Sequence, residues 1–361
     1  MEHTISSVSS QAQSQSQSVF IQHPVFGSGE HDGGHRLVAR HSHWILSEPA
    51  SHPQEHDYII SADVVCPGLV DLHVHVGPGI SPFALTPEIV AQSGARVACS
   101  QGDAGWRNFD QWVRSTTDGA VRSVIALNVA PMGEHGGGGG LEEVDAHTAD
   151  KIVALCTDHP DSIRMIGVNL SRRALGRASA REILNVALRC RDKTGLPLLI
   201  GLGEEEVISL GAQLDQLTAG DVVTYCFRSH PWCLFPPHGV DAALERALSR
   251  GVLLDVGHGT SSFDPEVAAR AIGHGFVPHT ISSDLQVATA SAGTFIGLVD
   301  VANSLIDCGL SLEDAVKGMT RHPAAVLGLK DGTGSELVGG RAELTVFDFQ
   351  DGHMTATPLS F

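Results

Sequence analysis

Between residues 67 and 330 the sequence repeats one kind of unit, a short apolar run closed by a polar residue and followed by an amphipathic stretch. The runs read LVDLHVHV, RVACSQGD, RSVIALNVA, IRMIGVNL, LPLLIGLG, DVVTYCF, GVLLDVGH and VPHTISSD. A short run that is apolar on both faces is how a buried parallel strand reads, and parallel neighbours need a crossover connection, usually a helix. The stretches between them, such as AREILNVALRCRDKTG and VDAALERALSRG, carry apolar residues at helical spacing and end near a Gly, where a helix C-terminus is expected. Eight such units predict a (β/α)8 TIM barrel of the α/β class. A doubly wound sheet is the competing fold, but its Gly-rich phosphate turn is absent after the first strand. The Gly run from Gly136 to Gly140 lacks the Lys-Ser/Thr of a phosphate loop and reads as a mobile loop over the barrel mouth.

The flanks have a different texture. From 19 to 66, the stretches VFIQ, RLVAR, HWIL and YIISADVV are separated by Gly, Pro and His-rich turns, and SELVGGRAELTVFDF near the other end reads the same way. Both termini, 19–66 and 335–361, are therefore expected to build one small β-sandwich around a barrel spanning 67–334. Residues 1–18 are polar, repetitive and nearly uncharged, with no apolar core of a signal peptide, and read as a disordered leader.

Composition narrows the partners. With 23 Lys and Arg against 41 Asp and Glu, the formal net charge is −18, which opposes a polyanion and excludes nucleic acid as an expected ligand. No run reaches the ~18 apolar residues of a membrane-spanning helix. The seven cysteines are scattered without a C-x-x-C, which suggests reduced thiols in a cytoplasmic protein. A small-molecule substrate is expected; oligomeric state is left open, a homo-oligomer being compatible with the barrel.

Barrel chemistry sits at the C-terminal ends of strands, so the residues closing each run carry the functional reading. The first run closes on His73 and His75, which alternate along an extended strand and converge on one point while Leu72 and Val74 face the other layer. Such a pair can hold a metal. The later runs close on Asp103, Asn128, Asn169, Gly201, Tyr225, His258 and Asp284. Asp103 and Asn128 are placed to bond loops or ligands, and His258 to touch a substrate or act as a third imidazole. His230 and His238, in the stretch after the sixth run, and Glu204 to Glu206, after the fifth, are substitute ligand candidates.

At this point a resemblance enters. The stretches PGLVDLHVHV, GDAGWRNF, GDVVTYCF, GVLLDVGHGTSSF, GFVPHTISSD, HPAAVLGL and GSELVGGRAELTVFD resemble, in order, the amidohydrolase superfamily, specifically its dihydroorotase-like branch of amidohydrolases and deacetylases. The resemblance implies a barrel paired with a β-sandwich from both termini, and two divalent metals. Their ligands would be the H-x-H pair, a carboxylated Lys ending strand four, His residues ending strands five and six, and an Asp ending strand eight. His73, His75 and Asp284 match that pattern, whereas Asn169, Gly201 and Tyr225 stand at the other three places. Asn cannot form a carbamate, Gly has no side chain, and a neutral phenol with pKa near ~10 is a poor ligand. The two-metal site is not encoded.

The remaining His73, His75 and Asp284 suffice for one divalent metal, zinc, with an open position for water. By the resemblance, Asp284 is also the catalytic group that takes the water's proton and passes it to the leaving group. Tyr225, Asn169, His258, Asp103 and Asn128 are the expected substrate-binding residues. The expectation is a hydrolase of a small amide, cyclic amide or acyl ester, deacetylase-like, using at most one metal. The alternative is a metal-depleted amidohydrolase-fold protein, a pseudoenzyme or non-hydrolytic biosynthetic enzyme, that binds a small molecule.

Overall fold

The computed structural model describes residues 16–21, 34–54, 56–60, 64–134, 138–202, 208–229, 233–237, 239–240, 242–291, 295–330, 333–334 and 341–360. Most of the expected leader, Gly136 and Gly137, Glu204 to Glu206, His230 and His238 lie outside the described residues. The chain divides into two compact units, Met1–Gly68 with Leu329–Phe361, and Leu69–Gly328.

The first unit holds two sheets. In one, β1 (Gln17–Ile21), β2 (Gly34–Arg40), β3 (His43–Ala50) and β4 (Asp57–Ile60) lie in the order β3-β2-β1-β4, with β1 and β4 parallel. In the other, β5 (Val64–Pro67) pairs antiparallel with β13 (Glu343–Gln350), which pairs with β14 (His353–Ser360). Val19, Ile21, Leu37, Ala39 and Trp44 of the first sheet pack in one buried cluster with Val65, Leu344 and Val346 of the second, so the two sheets form a sandwich. β1 takes in the last two residues of the stretch read as leader, Gln17 and Ser18. Gln17 pairs with Ala39, and Ser18 Oγ donates to Asp57 Oδ1 at 2.5 Å, which draws these polar residues into the sheet. Pro67 belongs to this unit because it opposes Leu344 in the β5–β13 ladder.

The second unit is a parallel sheet of seven strands in chain order: β6 (Leu69–Val74), β7 (Ala95–Gln101), β8 (Arg122–Asn128), β9 (Ile163–Asn169), β10 (Leu198–Gly201), β11 (Val222–Val223) and β12 (Leu253–Leu254). Helices connect them. The longest, Ala180–Thr194, starts where Ser179 accepts from the Glu182 amide and ends at Gly195, left-handed at φ 71°. It buries Ile183, Leu184, Val186, Ala187 and Cys190 along one face. Each of its larger aliphatic side chains removed from water contributes ~1.5–3 kcal/mol.

The eighth unit differs from the strand that was expected. Residues 278–285 form no ladder; they join both sheet edges through single bridges, Asp255 with Thr280 and Val74 with Leu285. Backbone bonds run from Val256 N to Thr280 O (3.2 Å) on one side and from Asp284 N to His73 O (2.8 Å) on the other. The reason is the polar content of the segment. Thr280 and Ser282 hydroxyls donate to the buried Asp255, the Ser283 hydroxyl donates to the buried Asp71, and Asp284 is left-handed at φ 48°. Side chains bonded to buried carboxylates, and a backbone turned out of the extended region, take the place of ladder bonds. The result is an α/β barrel of seven strands closed by this eighth segment. Strands β11 and β12 are likewise shorter than their apolar runs, because Tyr225 (φ 63°) and Gly257 (φ 52°) turn the chain out of the sheet. Among the described residues no helix is long and apolar enough to cross a membrane.

Candidate functional site

β6 delivers two imidazoles to the end of the barrel, and each is locked from behind. His73 Nδ1 lies 2.9 Å from Thr224 Oγ1, and that hydroxyl donates to Asp255 Oδ2 at 2.8 Å. Since Thr224 has only one proton and gives it to Asp255, towards His73 it can only accept. Nδ1 therefore carries the hydrogen, and Nε2 of His73 presents a lone pair. His75 Nδ1 lies 2.9 Å from Asp103 Oδ1, a carboxylate that also only accepts, so its Nε2 is presented in the same way. Asp103 is itself held by Val76 N (3.0 Å), Ser81 Oγ (2.5 Å) and Ser100 Oγ (2.6 Å).

Both lone pairs meet one carboxylate. Asp284 Oδ1 is 3.5 Å from His73 Nε2 and 3.3 Å from His75 Nε2, and it accepts from Gln286 Nε2 at 3.2 Å. His73 Nε2 is buried without a hydrogen-bond partner. One donor atom from each of His73, His75 and Asp284 lies within 4.8 Å of the others. Donors ~2.0–2.1 Å from a common tetrahedral ion are ~3.3 Å apart, close to the two distances observed. Burial alone would push the His75 imidazole down, but Asp103 and Asp284 outweigh it and hold it well above its usual value. The cluster attracts positive charge. An orphaned buried nitrogen, two fixed tautomers and a carboxylate together fit a divalent metal.

Close approach makes the cluster possible. A Cβ at Gly257 would stand 2.3 Å from Thr224 Oγ1 and 3.2 Å from His73 Nδ1, and one at Gly259 would stand 2.3 Å from Asp284 Oδ2. Both glycines are left-handed at φ 52°, a conformation that costs other residues energy. Tyr225 and Asp284, which are not glycine, hold positive φ at the same site, the kind of local strain found at functional positions.

The three positions without family ligands pack against one another. A Cβ at Gly201 would lie 3.1 Å from Tyr225 Cε2 and 3.3 Å from Asn169 Oδ1. The Tyr225 ring is centred 5.2 Å from the His73 ring, with the Arg228 guanidinium 4.3 Å from its own centroid. The phenol ring and the Asn169 amide occupy the space beside Gly201, so among the described residues packed side chains stand at these three positions.

A cavity of about 270 Å³ opens beside the cluster, at the small end of the range for small-molecule sites. Tyr225, Asn169 and Asn128 line it, with His75 and Asp284. Two expected substrate contacts are placed elsewhere. Asp103 is fully buried behind His75, because its four donors consume the carboxylate. His258 stacks on Phe263 at 4.6 Å, with Nδ1 2.9 Å from Gly259 O, and neither lines the cavity nor joins the trio. Gly257 and Gly259 on either side of it turn the backbone, not this imidazole, against His73 and Asp284.

Four contributors escaped the sequence reading: Thr224, Asp255, Gln101 and Glu134. Asp255 interrupts the apolar run GVLLDVGH, and a carboxylate inside such a run must be bonded to something; that signal was available. Glu134 lines the cavity half-buried, and burial together with the charges of Asp103 and Asp284 pushes it up to about 7 against the pull of His75 and His73. Nothing in the stretch PMGEHGG marks it.

Comparison with known proteins agrees with this fold. A deacetylase of Agrobacterium fabrum is 27% identical over 298 residues, covering 81% of this chain and 72% of the relative. A deacetylase of Brucella anthropi is 26% identical over 298 residues, covering 81% and 73%. A solved dihydroorotase superposes with a TM-score of 0.80 at 25% identity, over 96% of this chain and 94% of that one. These likenesses support the amidohydrolase superfamily for this chain. No protein-family model matches the sequence. Asn169, Gly201 and Tyr225, where the resemblance would place further ligands, lie together beside the cluster.

Proposed function

We propose that this amidohydrolase-fold protein is a deacetylase-like hydrolase of a small amide, cyclic amide or acyl ester, with at most one divalent cation, zinc, held by His73, His75 and Asp284. The observation that carries the reading is the unpartnered His73 Nε2 facing Asp284 beside the fixed lone pair of His75. When bound, such a cation supplies the charge that makes a water acidic near pH ~7 and polarises an acyl carbonyl. Thr224 with Asp255, and Asp103, hold the two imidazoles in the tautomer that coordinates. Asp284 receives the proton of the attacking water and returns it to the leaving nitrogen or oxygen. The Tyr225 ring and Asn169 wall the cavity where relatives of the fold have further ligands, which supports a count of one ion.

The packing at Gly201 also favours a second reading, a barrel that keeps the cavity and binds the same small molecules without hydrolysis. Elemental analysis of full-length protein loaded with zinc, beside turnover of a panel of N-acetyl and O-acetyl compounds, separates the two. One ion per chain and hydrolysis are expected. Asp284→Asn keeps a residue type that tolerates left-handed backbone, so it should stay folded, bind zinc more weakly and lose ~10²–10⁴-fold in rate. Wild-type protein without zinc or turnover moves the assignment to the binding barrel; two ions per chain would show that another residue supplies the missing ligands.

A further inference from the structure

Gln101 is the last residue of β7 and lines the cavity with His75 and Asp284. It is 1% exposed, and neither its amide oxygen nor its amide nitrogen has a hydrogen-bond partner. The neighbouring strand-end amides are used differently. Asn128 donates to Gly102 O at 3.1 Å and accepts from Ala130 N at 2.9 Å, and Asn169 Oδ1 accepts from Ser171 N at 3.0 Å. These two brace their own loops. A buried amide left unpaired at both ends is expensive, each unmade bond costing ~1–3 kcal/mol, and is explained when a ligand completes it.

The chemistry of that ligand follows from the group. Whichever way the amide is turned, it presents one acceptor and a donor side by side. An acyl ester has acceptors alone; it can satisfy the Gln101 nitrogen and leaves the oxygen bare. A primary carboxamide, a lactam or a ureide brings a donor and an acceptor on the same side, whereas a trans secondary amide turns them apart. We infer that Gln101 is a specificity-determining residue that pairs with the N–H and C=O of the ligand, so that the cavity selects amide substrates over the matching esters. This rests on the hydrolase reading for the word substrate, but the selection itself is a property of binding. A site with a polar group built for a partner rejects the analogue that lacks it more strongly than an apolar wall does.

The test uses two probes that differ at one atom, δ-valerolactam and δ-valerolactone, with full-length wild type and Gln101→Met. Binding is measured by calorimetry on metal-free protein and turnover on the zinc-loaded form. Wild type should favour the amide about tenfold or more in binding. Gln101→Met keeps the side-chain volume and should lose that preference to within about threefold while holding the ester. Its urea midpoint should match or exceed that of wild type, because an unpaired buried amide has been replaced by an apolar group. A structural glutamine would do the opposite. Gln101→Glu, which keeps the acceptor and loses the donor when ionised, gives a second variant should the first not fold; it should weaken the ester and keep the amide preference, because only the amide has an N–H to give to the carboxylate. Equal binding of both probes by wild type, binding of neither at millimolar concentration, or a destabilised Gln101→Met with an unchanged preference overturns the inference. Amide preference in binding without turnover of either probe removes the hydrolase reading and leaves the role of Gln101 standing.

Discussion

Replacing Thr224 with Val changes one hydroxyl for a methyl of similar size and tests whether that hydroxyl sets the metal-binding face of His73. In the protein Thr224 Oγ1 accepts from His73 Nδ1 at 2.9 Å and donates to Asp255 Oδ2 at 2.8 Å. After the change Asp255 Oδ2 remains 3.8 Å from Nδ1, too far for a hydrogen bond. Asp255 keeps the hydroxyls of Thr280 and Ser282, each at 2.7 Å, so the barrel closure survives. The loss falls on His73, whose unpaired N–H is worth ~1–3 kcal/mol in stability. A freed imidazole can also exchange tautomers, and loss of such an outer partner weakens metal binding ~10–100-fold, about 1.4–2.8 kcal/mol. Competition titration of zinc against a chromophoric chelator reads the affinity, and urea unfolding of metal-free protein reads the stability. Thr224→Ser retains the hydroxyl and should bind within about threefold of wild type. Zinc held by Thr224→Val as tightly as by wild type, in a variant that unfolds earlier, would refute the reasoning: the hydroxyl would then brace the barrel without fixing the imidazole.

Two further outcomes are expected. Gly201→Ala places a Cβ 3.1 Å from Tyr225 Cε2 and should cost ~1–2 kcal/mol by chemical denaturation, and the penalty should at least halve when Tyr225 is shortened to Asn; strict additivity of the pair would count against contact at this point. The His279 and His322 rings stack at 4.3 Å, and burial, then the neighbouring His322, push His279 down to about 4. The unfolded chain takes up this proton below pH ~6.5 while the folded chain resists it, so stability should fall as pH drops from ~6.5 towards 4 and level off below. The full shift corresponds to ~3 kcal/mol, which partial exposure reduces. His279→Gln should flatten urea midpoints across that window, and an unchanged slope would exclude the pair as its source.

Much of the scaffold was legible because it rests on local patterns. Apolar runs of strand length, helices such as Ala180–Thr194 with Ser179 before and Gly195 after, and an H-x-H pair at a strand end all carry their physics in neighbouring residues. The eighth strand was read wrongly for an equally physical reason: in VPHTISSD the side chains bond to Asp71 and Asp255, far away in sequence, and no local period records that. His258 had the right place in the chain to reach the cavity, and two left-handed glycines decided otherwise. Gln101 and Glu134 are chemically ordinary in sequence and become informative only through what surrounds them. Thr224 is similar, since its role depends on which partner takes its single proton.

The manner in which the barrel is closed has a kinetic consequence. The hydroxyl of Ser283 reaches Asp71 across 212 residues, and Asp284 N reaches the His73 carbonyl beside it. Joining the ends of a chain segment of that length costs about 5 kcal/mol in loop entropy before any contact rewards it, which places this seam among the late events of folding. His73 and Asp284 lie on opposite sides of the seam, so the donor set does not exist in a partly assembled ring. An ion bound there ties the first segment of the barrel to the last, and because it binds the closed ring and not the open one, its affinity adds directly to the free energy of closure. The donor cluster thereby doubles as the clasp, and a newly made chain acquires that cluster and its final topology in the same step.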